Sequence, residues 1–436
     1  MKIYEFPKGG LRYREAGTMP FAPGRIAFLP AVSVLPLLQH EGAPARSVVS
    51  VGDSIREGMV VGRADARDGA NVHASVPGRV LKQVVWRMPG GRESPALVVR
   101  LEGSFEKLGR RQEQLSWNGI SAAELQKIIA EKGVVEMEEP GRPAAPILAG
   151  ARNSASKILF AINAVFDDAS LAADIAVLSE RPEAVAEGAQ IAMKVASCDA
   201  AVIAVTRAER PLVDPLIEFL AARGLVVHAV VVGSKYPQRN FRELDTAIRQ
   251  YAKAESLQYD SMLPFGVSTL AAVYDAVRHN LPVIERYVAI GGDAVKHPAV
   301  LRVRIGTRIG DAIAECGGFV DKPARVVLGS PLTGLAVYDL DTPITKTTVA
   351  VIALAASSVG GTETRACIGC GNCRSVCPVG LDPERLHKLC MLGRYDEARA
   401  EGSEACHACG CCAAVCPSRL PLRASIRLGA ARRSGS

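Results

Sequence analysis

Two runs of cysteines near the end of the chain constrain its fold more than any other feature. Residues 367–378 read CIGCGNCRSVCP, and residues 406–417 read CHACGCCAAVCP. Each run contains the spacing C-x2-C-x2-C-x3-C-P, which binds iron–sulfur clusters in ferredoxins. Three closely spaced thiolates wrap one corner of a four-iron cubane, and the fourth cysteine reaches away from it. The sequence therefore predicts two [4Fe-4S] clusters.

The fourth cysteine of each run is expected to bind the cluster of the other run, as in two-cluster ferredoxins. The two predicted ligand sets are Cys367, Cys370, Cys373 and Cys416 for the first cluster, and Cys406, Cys409, Cys412 and Cys377 for the second. Gly371 and Gly410 lie inside the ligand loops, where the backbone must curl close to a cluster. Cys411 lies off the pattern, and we interpret it as a buried spectator.

Zinc and disulfide bonds are the alternatives for these cysteines. Zinc sites use pairs of Cys or His ligands, not three thiolates in a row followed by x3-C-P. Disulfides need an oxidising compartment, and the opening MKIYEFPKGG lacks the apolar stretch of a signal peptide. Two copies of one specific spacing favour clusters over both alternatives. Cys198 and Cys316 flank apolar or helical stretches and are expected to be core residues.

Length and composition indicate a multidomain globular protein. The 436 residues correspond to roughly two to four domains. Hydrophobic residues make up 48% and charged residues 22% of the chain, as in soluble proteins. The longest apolar runs, at 225–232 and 349–356, are too short to span a bilayer. The net charge of +7 is modest and spread out, so no nucleic-acid partner is expected.

Residues 25–101 read as short strands separated by Gly and Pro, with turns at Gly52 and at Gly78. The segments VGDSIREG and VPGRV resemble the biotinyl/lipoyl-like barrel-sandwich fold. Carrier versions of that fold present a lysine at a hairpin tip, and the comparable position near Asp68 has none. We therefore assign residues 1–110 to a barrel-sandwich hybrid without a carrier lysine.

Residues 118–260 alternate helical and strand patterns, which predicts an α/β layer with a parallel sheet. Ser121 and Glu124 form a capping box at the start of one helix, and residues 183–196 form another. DAAVIAVT and GLVVHAVVVG are buried strands of the parallel type, and LDTAIRQYAKAE is a further helix. We assign residues 111–280 to this domain.

The remaining chain divides into three predicted parts. Residues 281–335 run hairpin, extended strand and helix, a small β-grasp pattern. Residues 336–362 supply one more strand and a Ser/Gly-rich linker. Residues 363–436 form the cluster domain, in which Asp382 and Pro383 begin a helix. Because two helices fit between the cysteine runs, we expect an α-helical ferredoxin domain and not the compact β-rich kind.

A basic stripe is predicted at the end of the chain. Arg419, Arg423 and Arg427 follow one another at four-residue spacing, which places them on one face of a last helix. Such a stripe is either a solvated face or a docking face for an acidic partner or anionic lipid.

Together these motifs resemble the RnfC family, whose members are peripheral subunits of Rnf ion-translocating electron-transport complexes. The resemblance covers nearly the whole chain. Its segments are QHEGAPARSVVSVGDSIREG and VHASVPGRV in the first domain, KYPQ and YDAV in the α/β domain, LPVIERYVAIGGDAVKHP and RVRIGTRIGDAIAECGG in an SLBB β-grasp segment, and GSPLTGLAVYDLDTPITK before the cysteine runs.

The resemblance implies an electron-transfer subunit of a membrane-bound, ion-translocating oxidoreductase. Its α/β domain is then similar to the flavin- and NADH-binding subunit of respiratory complex I. Implied partners are other Rnf membrane and iron–sulfur subunits, with NADH or a small redox protein such as flavodoxin or ferredoxin as the electron partner. The implied location is peripheral, at the cytoplasmic face of the membrane.

One segment departs from the family pattern. The family carries GxGGAxFPT followed by a strand ending in NGAECEP, and these glycines let backbone approach flavin and dinucleotide phosphates. Here residues 141–170 read GRPAAPILAGARNSASKILFAINAVFDDAS. The scattered matches that remain are Gly150, Lys157, Ile162, Asn163 and Ala164, and the acidic pair is displaced to Asp167 and Asp168.

Prolines add to this departure, because Pro140, Pro143 and Pro146 remove N–H donors and fix φ. We therefore expect FMN and NADH binding to be lost or severely weakened. The cationic side chains in or beside the segment leave a remodelled phosphate site open as the alternative; they are Arg142, Arg152 and Lys157.

Two rival functions share this set of domains. One is a soluble flavin-dependent reductase of the cobalamin reductase type, against which the missing glycine-rich segment counts. The other is a scaffold that uses its β modules to dock partners, a role that intact cluster motifs make partial at most.

Overall fold

The computed structural model describes residues 2–12, 23–105, 114–137, 141–361 and 363–431. Its strands are β1 (Arg25–Ile26), β2 (Val32–Pro36), β3 (Arg46–Ser47), β4 (Ser54–Ile55), β5 (Val60–Arg63), β6 (Val72–His73), β7 (Gly78–Arg87), β8 (Glu93–Leu101), β9 (Ile158–Ala164), β10 (Ala200–Thr206), β11 (His228–Val232), β12 (Ser261–Gly266), β13 (Glu285–Gly291), β14 (Ala299–Arg304), β15 (Arg325–Leu328), β16 (Leu335–Val337) and β17 (Ala350–Leu354).

The α-helices alternate with these strands in the middle of the chain and dominate its end. They are α1 (Ala122–Glu131), α2 (Ala144–Arg152), α3 (Ala172–Glu180), α4 (Pro182–Ala196), α5 (Asp214–Ala221), α6 (Phe241–Ala254), α7 (Val267–Arg278), α8 (Ile309–Glu315), α9 (Asn372–Ser375), α10 (Pro383–Met391), α11 (Tyr395–Ala400), α12 (Cys411–Ala414) and α13 (Leu422–Ala431).

Two antiparallel sheets form the barrel-sandwich part, with strand orders β2-β8-β7-β4 and β3-β5-β6. Gly52 has a φ of +94° at the turn before β4, as the sequence predicts. Gly78 is different, because it begins β7 and is not part of a turn. A side chain there would collide with the carbonyl oxygen of Arg100, so this glycine permits close approach of two strands.

A four-stranded parallel sheet of order β11-β10-β9-β12 forms the α/β part. The predicted strands and helices are confirmed here, including the capping box in which Ser121 and Glu124 bond each other's backbone. All four strands point the same way, so their carboxyl ends meet at one edge. That edge is marked by Ala164 of β9 and Gly266 of β12.

A six-stranded sheet of order β1-β14-β13-β17-β15-β16 forms the β-grasp part. Strands β13 and β14 are the predicted antiparallel hairpin, and α8 is the predicted helix. Strand β17, predicted separately, lies in the middle of this sheet between β13 and β15. Strand β1, from the amino-terminal part of the chain, closes one edge by pairing with β14.

Two buried basic side chains connect the barrel-sandwich, α/β and β-grasp parts of the fold. Lys346 is 1% exposed, and its Nζ donates to the carbonyl oxygens of Asn71 and Gly133, both at 2.7 Å. The guanidinium of Arg286 donates to the carbonyls of Lys346, Thr348 and Met137. Each cation thus satisfies backbone carbonyls from more than one part of the fold.

The first described residues form an amino-terminal strap (residues 2–12) across the α/β part. Tyr4 pairs in parallel with Val232 at the end of β11. Leu11 and Tyr236 form an antiparallel bridge, with N–H···O distances of 2.8 and 2.9 Å. The strap therefore extends the parallel sheet and then leaves it toward the cysteine runs.

The cysteine runs lie in an all-helical unit, as predicted, in which α10 and α13 pack together around Leu386, Leu389 and Ile426. Asp382 caps α10 and Pro383 is its first residue, also as predicted. Within the described ranges, no helix combines the length and apolarity needed to cross a membrane.

The predicted basic stripe is wrong. Helix α13 begins at Leu422, so Arg419 precedes it. The guanidinium of Arg419 donates to the carbonyl of Gly361 at 2.9 Å. Arg423 lies on the helix but donates to the carbonyls of Ala408 and Thr333, at 2.7 and 2.6 Å. Both side chains therefore bind this chain's own backbone and do not share one solvent-facing stripe.

Candidate metal centre

The two cysteine runs have the same local structure. Gly369 and Ala408 occupy equivalent positions, and both lie in the left-handed region, with φ of +70° and +53°. Their N–H groups donate to the Sγ atoms of Cys367 and Cys406, each at 3.4 Å. N–H groups directed at sulfur favour the thiolate that iron requires.

The equivalence extends to the last cysteine of each run. The Sγ of Cys377 accepts from the N–H of Leu381 at 3.3 Å, and the Sγ of Cys416 accepts from the N–H of Leu420 at 3.5 Å. The glycines that the sequence predicted inside the ligand loops also correspond. Each has a positive φ and caps the short helix that carries the third cysteine; they are Gly371 before α9 and Gly410 before α12.

The structure gathers the predicted second ligand set around one small cavity. The residues concerned, Cys377 from the first run and Cys406, Cys409 and Cys412 from the second, all line this cavity. The predicted first set is linked by backbone, because the N–H of Arg365 donates to the carbonyl of Ser418, and the hydroxyl of Ser418 donates to the carbonyl of Ala366. These bonds hold the segment after Cys416 beside the segment before Cys367.

The two sets differ in exposure. Cys367 and Cys370 are exposed, and Ile368 between them is 70% exposed. Cys377 is 9% exposed, and burial raises the pKa of its thiol. Burial also raises the pKa of Cys412, to about 12. The first set thus has two exposed and two half-buried cysteines, and the second has one buried and three half-buried cysteines, so the second set is the more enclosed of the two.

Cys411 is fully buried, as the sequence predicts, but it touches a predicted ligand. A hydrogen bond from its thiol lowers the pKa of Cys409 to about 7, and the same bond raises the pKa of Cys411. Among the described residues, no three His, Cys, Asp or Glu side chains surround one ion-sized point. The ligands of a cubane each bind a separate iron, so they stand farther apart than the ligands of a single ion.

A second candidate site is a cavity of about 510 Å³ at the carboxyl edge of the parallel sheet. Asn163 and Gly266 line it from the ends of β9 and β12, and His407 lines it from the second ligand loop. Ligands commonly bind at this edge of a parallel sheet. The Nδ1 of His407 lies 3.1 Å from Oε1 of Glu243, a carboxylate that is 3% exposed.

This cavity contains residues that the sequence analysis missed. Arg239, directly after the KYPQ segment, and Arg242, in the first turn of α6, line it. His407 lines both this cavity and the one between the cysteines. These residues could have been identified from the sequence because they lie inside or next to recognised motifs. What joins them is the packing of the ferredoxin unit on the sheet edge, which no local pattern predicts.

The amino-terminal end of α2 is where a family-type loop would offer N–H groups to phosphate. Here the N–H of Ala144 is already bonded to the carbonyl of Val134 at 3.1 Å. Pro143 and Pro146 have no N–H, and Ala145 is 2% exposed. These residues do not fit a flavin or dinucleotide phosphate. Pro140 lies outside the described residues.

The other matches to the family segment are dispersed. Gly150 is an exposed residue within α2, and Lys157 precedes β9 at the opposite edge of the sheet. Arg152 donates to the side chain of Gln126. Arg142 alone among the three cations lines the cavity, and its Nε lies 3.1 Å from Oε2 of Glu136.

The displaced acidic pair is used for structure. Asp167 accepts from the N–H of Arg239 at 2.9 Å, and burial raises the pKa of this carboxyl to about 7. Asp168 accepts from the N–H of Ser170 at 2.8 Å and from the hydroxyl of Ser330. Neither carboxylate is among the residues that line the cavity.

Four family models match the chain, in agreement with the predicted fold class. They are the RnfC barrel sandwich hybrid domain over residues 22–104, the Nuo51 FMN-binding domain over 129–275, the SLBB domain over 287–336 and the 4Fe-4S dicluster domain over 361–417. The last match confirms the prediction of two [4Fe-4S] clusters.

Several named relatives, each one subunit of a larger complex, align over most of the chain. The relative from the proton-translocating ferredoxin:NAD(+) oxidoreductase complex of Clostridium ljungdahlii is 31% identical, over 87% of this chain and 83% of its own. The relative from the ion-translocating oxidoreductase complex of Rhodobacter capsulatus is 31% identical, over 89% and 74%. The relative from the Na(+)-translocating ferredoxin:NAD(+) oxidoreductase complex of Acetobacterium woodii is 27% identical, over 91% and 90%.

Proposed function

The chain belongs to the RnfC family, whose members are subunits of ion-translocating oxidoreductase complexes, and on that basis we propose that it is the electron-transfer subunit of such a membrane-bound complex. It passes electrons through its two clusters between a small redox partner and the other subunits. It is held peripherally at the cytoplasmic face of the membrane by those subunits. The observation that carries the proposal is the pairing of a more exposed ligand set with a more enclosed one.

The proposed ligands of the exposed cluster are Cys367, Cys370, Cys373 and Cys416, and those of the enclosed cluster are Cys406, Cys409, Cys412 and Cys377. The shared cavity of the second set and the Ser418 hydrogen bonds beside the first set support this crossed ligation. When bound, each cluster accepts and passes on one electron at a time. The protein supplies N–H groups directed at sulfur and, for the second set, exclusion of water.

The exposed ligand set gives a redox partner direct access. Ile368 offers an apolar contact between two ligands, and the exposed side chains of Arg365, Arg374 and Lys388 lie in the same part of the unit. Lys388 is ion-paired with Glu384, whose carboxylate raises the pKa of its ammonium group, and the charge of the Cys367 thiolate raises it further. An apolar centre with positive charge near it fits an acidic flavodoxin or ferredoxin.

FMN and NADH are not part of the proposed route. The matched FMN-binding domain supplies the fold, but the start of α2 lacks N–H groups that could reach a phosphate. This favours a one-electron protein as the partner and disfavours a soluble flavin-dependent reductase of the cobalamin reductase type. A pure scaffold is disfavoured because both cysteine runs are complete.

The test uses anaerobically purified protein that contains about eight iron and eight sulfide per chain, as two cubanes require. Addition of NADH, with or without FMN, should leave the cluster absorbance unchanged. Addition of a reduced acidic ferredoxin or flavodoxin should bleach it rapidly. Rapid bleaching by NADH, or tight stoichiometric binding of FMN, would overturn the proposed route.

Reversing the charge of basic residues near the exposed cysteines tests whether the acidic redox partner docks there. The double variant Arg365→Glu/Lys388→Glu should slow reduction by the acidic protein about tenfold or more at low salt, because steering by charge affects mainly the association rate. The control is Arg427→Glu, which reverses one charge at an exposed position of α13. It should leave the rate of reduction unchanged. Equal slowing by all these substitutions would assign the effect to net charge alone.

A further inference from the structure

We propose that the amino-terminal strap is a working part of the second cluster's site, where it fixes the backbone of Cys377 and closes that side against water. The inference rests on the proposed ligation of this cluster by Cys377. It goes further by giving residues 2–12, which contain no ligand, a role in positioning ligands and in setting a redox potential.

The closest approach is at Gly9. Its φ is +64°, and a Cβ built on it would lie 2.5 Å from both the carbonyl carbon and the carbonyl oxygen of Cys377. The N–H of the next residue, Gly10, donates to the carbonyl of Val376 at 2.8 Å. The strap thus packs backbone against backbone on a proposed ligand, at a distance that only glycine allows.

The strap reaches a second ligand through Tyr236. Leu11 and Tyr236 exchange two backbone hydrogen bonds. The hydroxyl of Tyr236 then donates to the carbonyl of Cys409 at 2.8 Å, and this tyrosine is 6% exposed. One continuous series of contacts therefore joins the strap to Cys377 and Cys409, which come from different cysteine runs.

The other end of the strap is anchored in the α/β part. The carbonyl of Tyr4 accepts from the N–H of Gly233, and its own N–H donates to the carbonyl of Val231. Phe6 is 3% exposed, its carbonyl accepts from Nζ of Lys235 at 2.9 Å, and that ammonium lies 4.0 Å from the centre of its ring. Because this end is fixed independently of the cysteines, the strap can hold the ligand loop in place against the sheet.

The direction in which the strap should shift the reduction potential of the second cluster can be predicted. Cluster potentials depend on solvent exposure and on hydrogen bonds near the sulfur atoms. Water stabilises the reduced cluster, which carries more negative charge, so opening the strap should raise the potential of the second cluster. The first cluster, whose ligand loop is already exposed, should not respond.

The test compares two glycines that have similar backbone conformations. Gly9→Ala places a methyl group against Cys377. Gly224→Ala introduces the same residue at a φ of +78° with nothing within 4 Å, so it controls for backbone strain. Gly9→Ala should shift the midpoint potential and the paramagnetic resonance signal of the second cluster alone, and should speed its bleaching in air. Gly224→Ala should change neither.

A second, milder variant keeps the test informative if Gly9→Ala misfolds. Tyr236→Phe removes only the hydroxyl that bonds Cys409, and it should move the same cluster's potential by a smaller amount. Loss of both clusters together in Gly9→Ala and no change in Tyr236→Phe would overturn the inference. Unchanged potentials in both variants would overturn it as well.

The signal of the second cluster is identified by Cys412→Ser, which belongs to that cluster whether or not ligation is crossed. Cys377→Ser then tests the crossing. If Gly9→Ala disturbs the signal lost in Cys412→Ser while Cys377→Ser does not, the ligand assignment fails and the strap still acts on this cluster. If both cysteine variants affect one signal that Gly9→Ala leaves intact, the ligation holds and the strap has no such role.

Discussion

Lys346 is a fully buried lysine at a junction of three parts of the fold. Its Nζ binds two carbonyl oxygens, and desolvation lowers the pKa of the ammonium group to about 7. The corresponding pKa in the unfolded chain is near 10.5. Between these two values the unfolded chain binds a proton that the folded protein does not.

Stability should therefore rise with pH between about 7 and 10.5 because of this residue. The contribution of Lys346 to the free energy of unfolding increases by at most about 1.4 kcal/mol per pH unit in that window. Below pH 7 the ammonium is charged in both states, so the cost of burying it is fully present. Lys346→Met should remove this slope, as measured by anaerobic urea unfolding at several pH values.

Lys322→Met is the matched control, since that side chain is exposed. It should leave the pH dependence of the unfolding midpoint as in the parent protein. A Lys346→Met variant with an unchanged slope would show that the folded protein keeps this lysine charged at its two carbonyl partners.

At the scale of single elements, α13 connects the ferredoxin unit to the β-grasp part through one arginine. Arg423 bonds the carbonyl of Ala408 in the second ligand loop and the carbonyl of Thr333 near β16. Arg423→Ala leaves both acceptors without this donor, which costs about 1–3 kcal/mol. Amide hydrogen exchange around these carbonyls should become roughly 5- to 150-fold faster.

The control is Arg427→Ala on the same helix. Arg427 is exposed one turn further along α13, so removal of its charge should leave exchange near Ala408 unchanged. Equal acceleration in both variants would attribute the effect to the charge of the helix and not to the two carbonyl bonds.

Local patterns in the sequence predicted most elements but not their long-range pairing. The capping box of α1, the buried strands β10 and β11 and the start of α10 depend on neighbouring residues, and each is confirmed. The place of β17 between β13 and β15 depends on residues far apart in the chain. The predicted domain limits at 110, 280, 335 and 362 stay predictions.

The error over the basic stripe has a local cause. Arg419 takes a φ of +53° at the position that Gly380, with a φ of +73°, occupies in the first cysteine run. A four-residue spacing indicates one helical face only if the helix covers every position. Comparison of the two runs shows that the helix begins later. The eight proposed ligands were recognisable because their spacing is local, whereas the His407–Glu243 contact joins different units.

At the scale of the whole molecule, we expect the protein to be held at a membrane by other subunits. We expect washing with high salt or alkaline carbonate to release it from membranes, because contacts between exposed charges are screened within about 10 Å at 0.1 M salt. The measurement is the distribution of the chain between pellet and supernatant. Subunits with spanning helices should stay in the pellet as the internal control, and retention of this chain after carbonate would contradict the peripheral placement.

The strap has a consequence for how the protein is made. Gly9 leaves the ribosome long before Cys377, and at 5–20 residues per second the interval is on the order of tens of seconds. During translation β11 becomes available to the strap before the ligand loop that contains Cys377 does. The contact between Gly9 and Cys377 can form only after the ferredoxin unit has been synthesised, so under the proposed role of the strap this side of the second cluster's site stays open until then. A segment translated before the ferredoxin unit would thus complete the second cluster's site only after that unit exists.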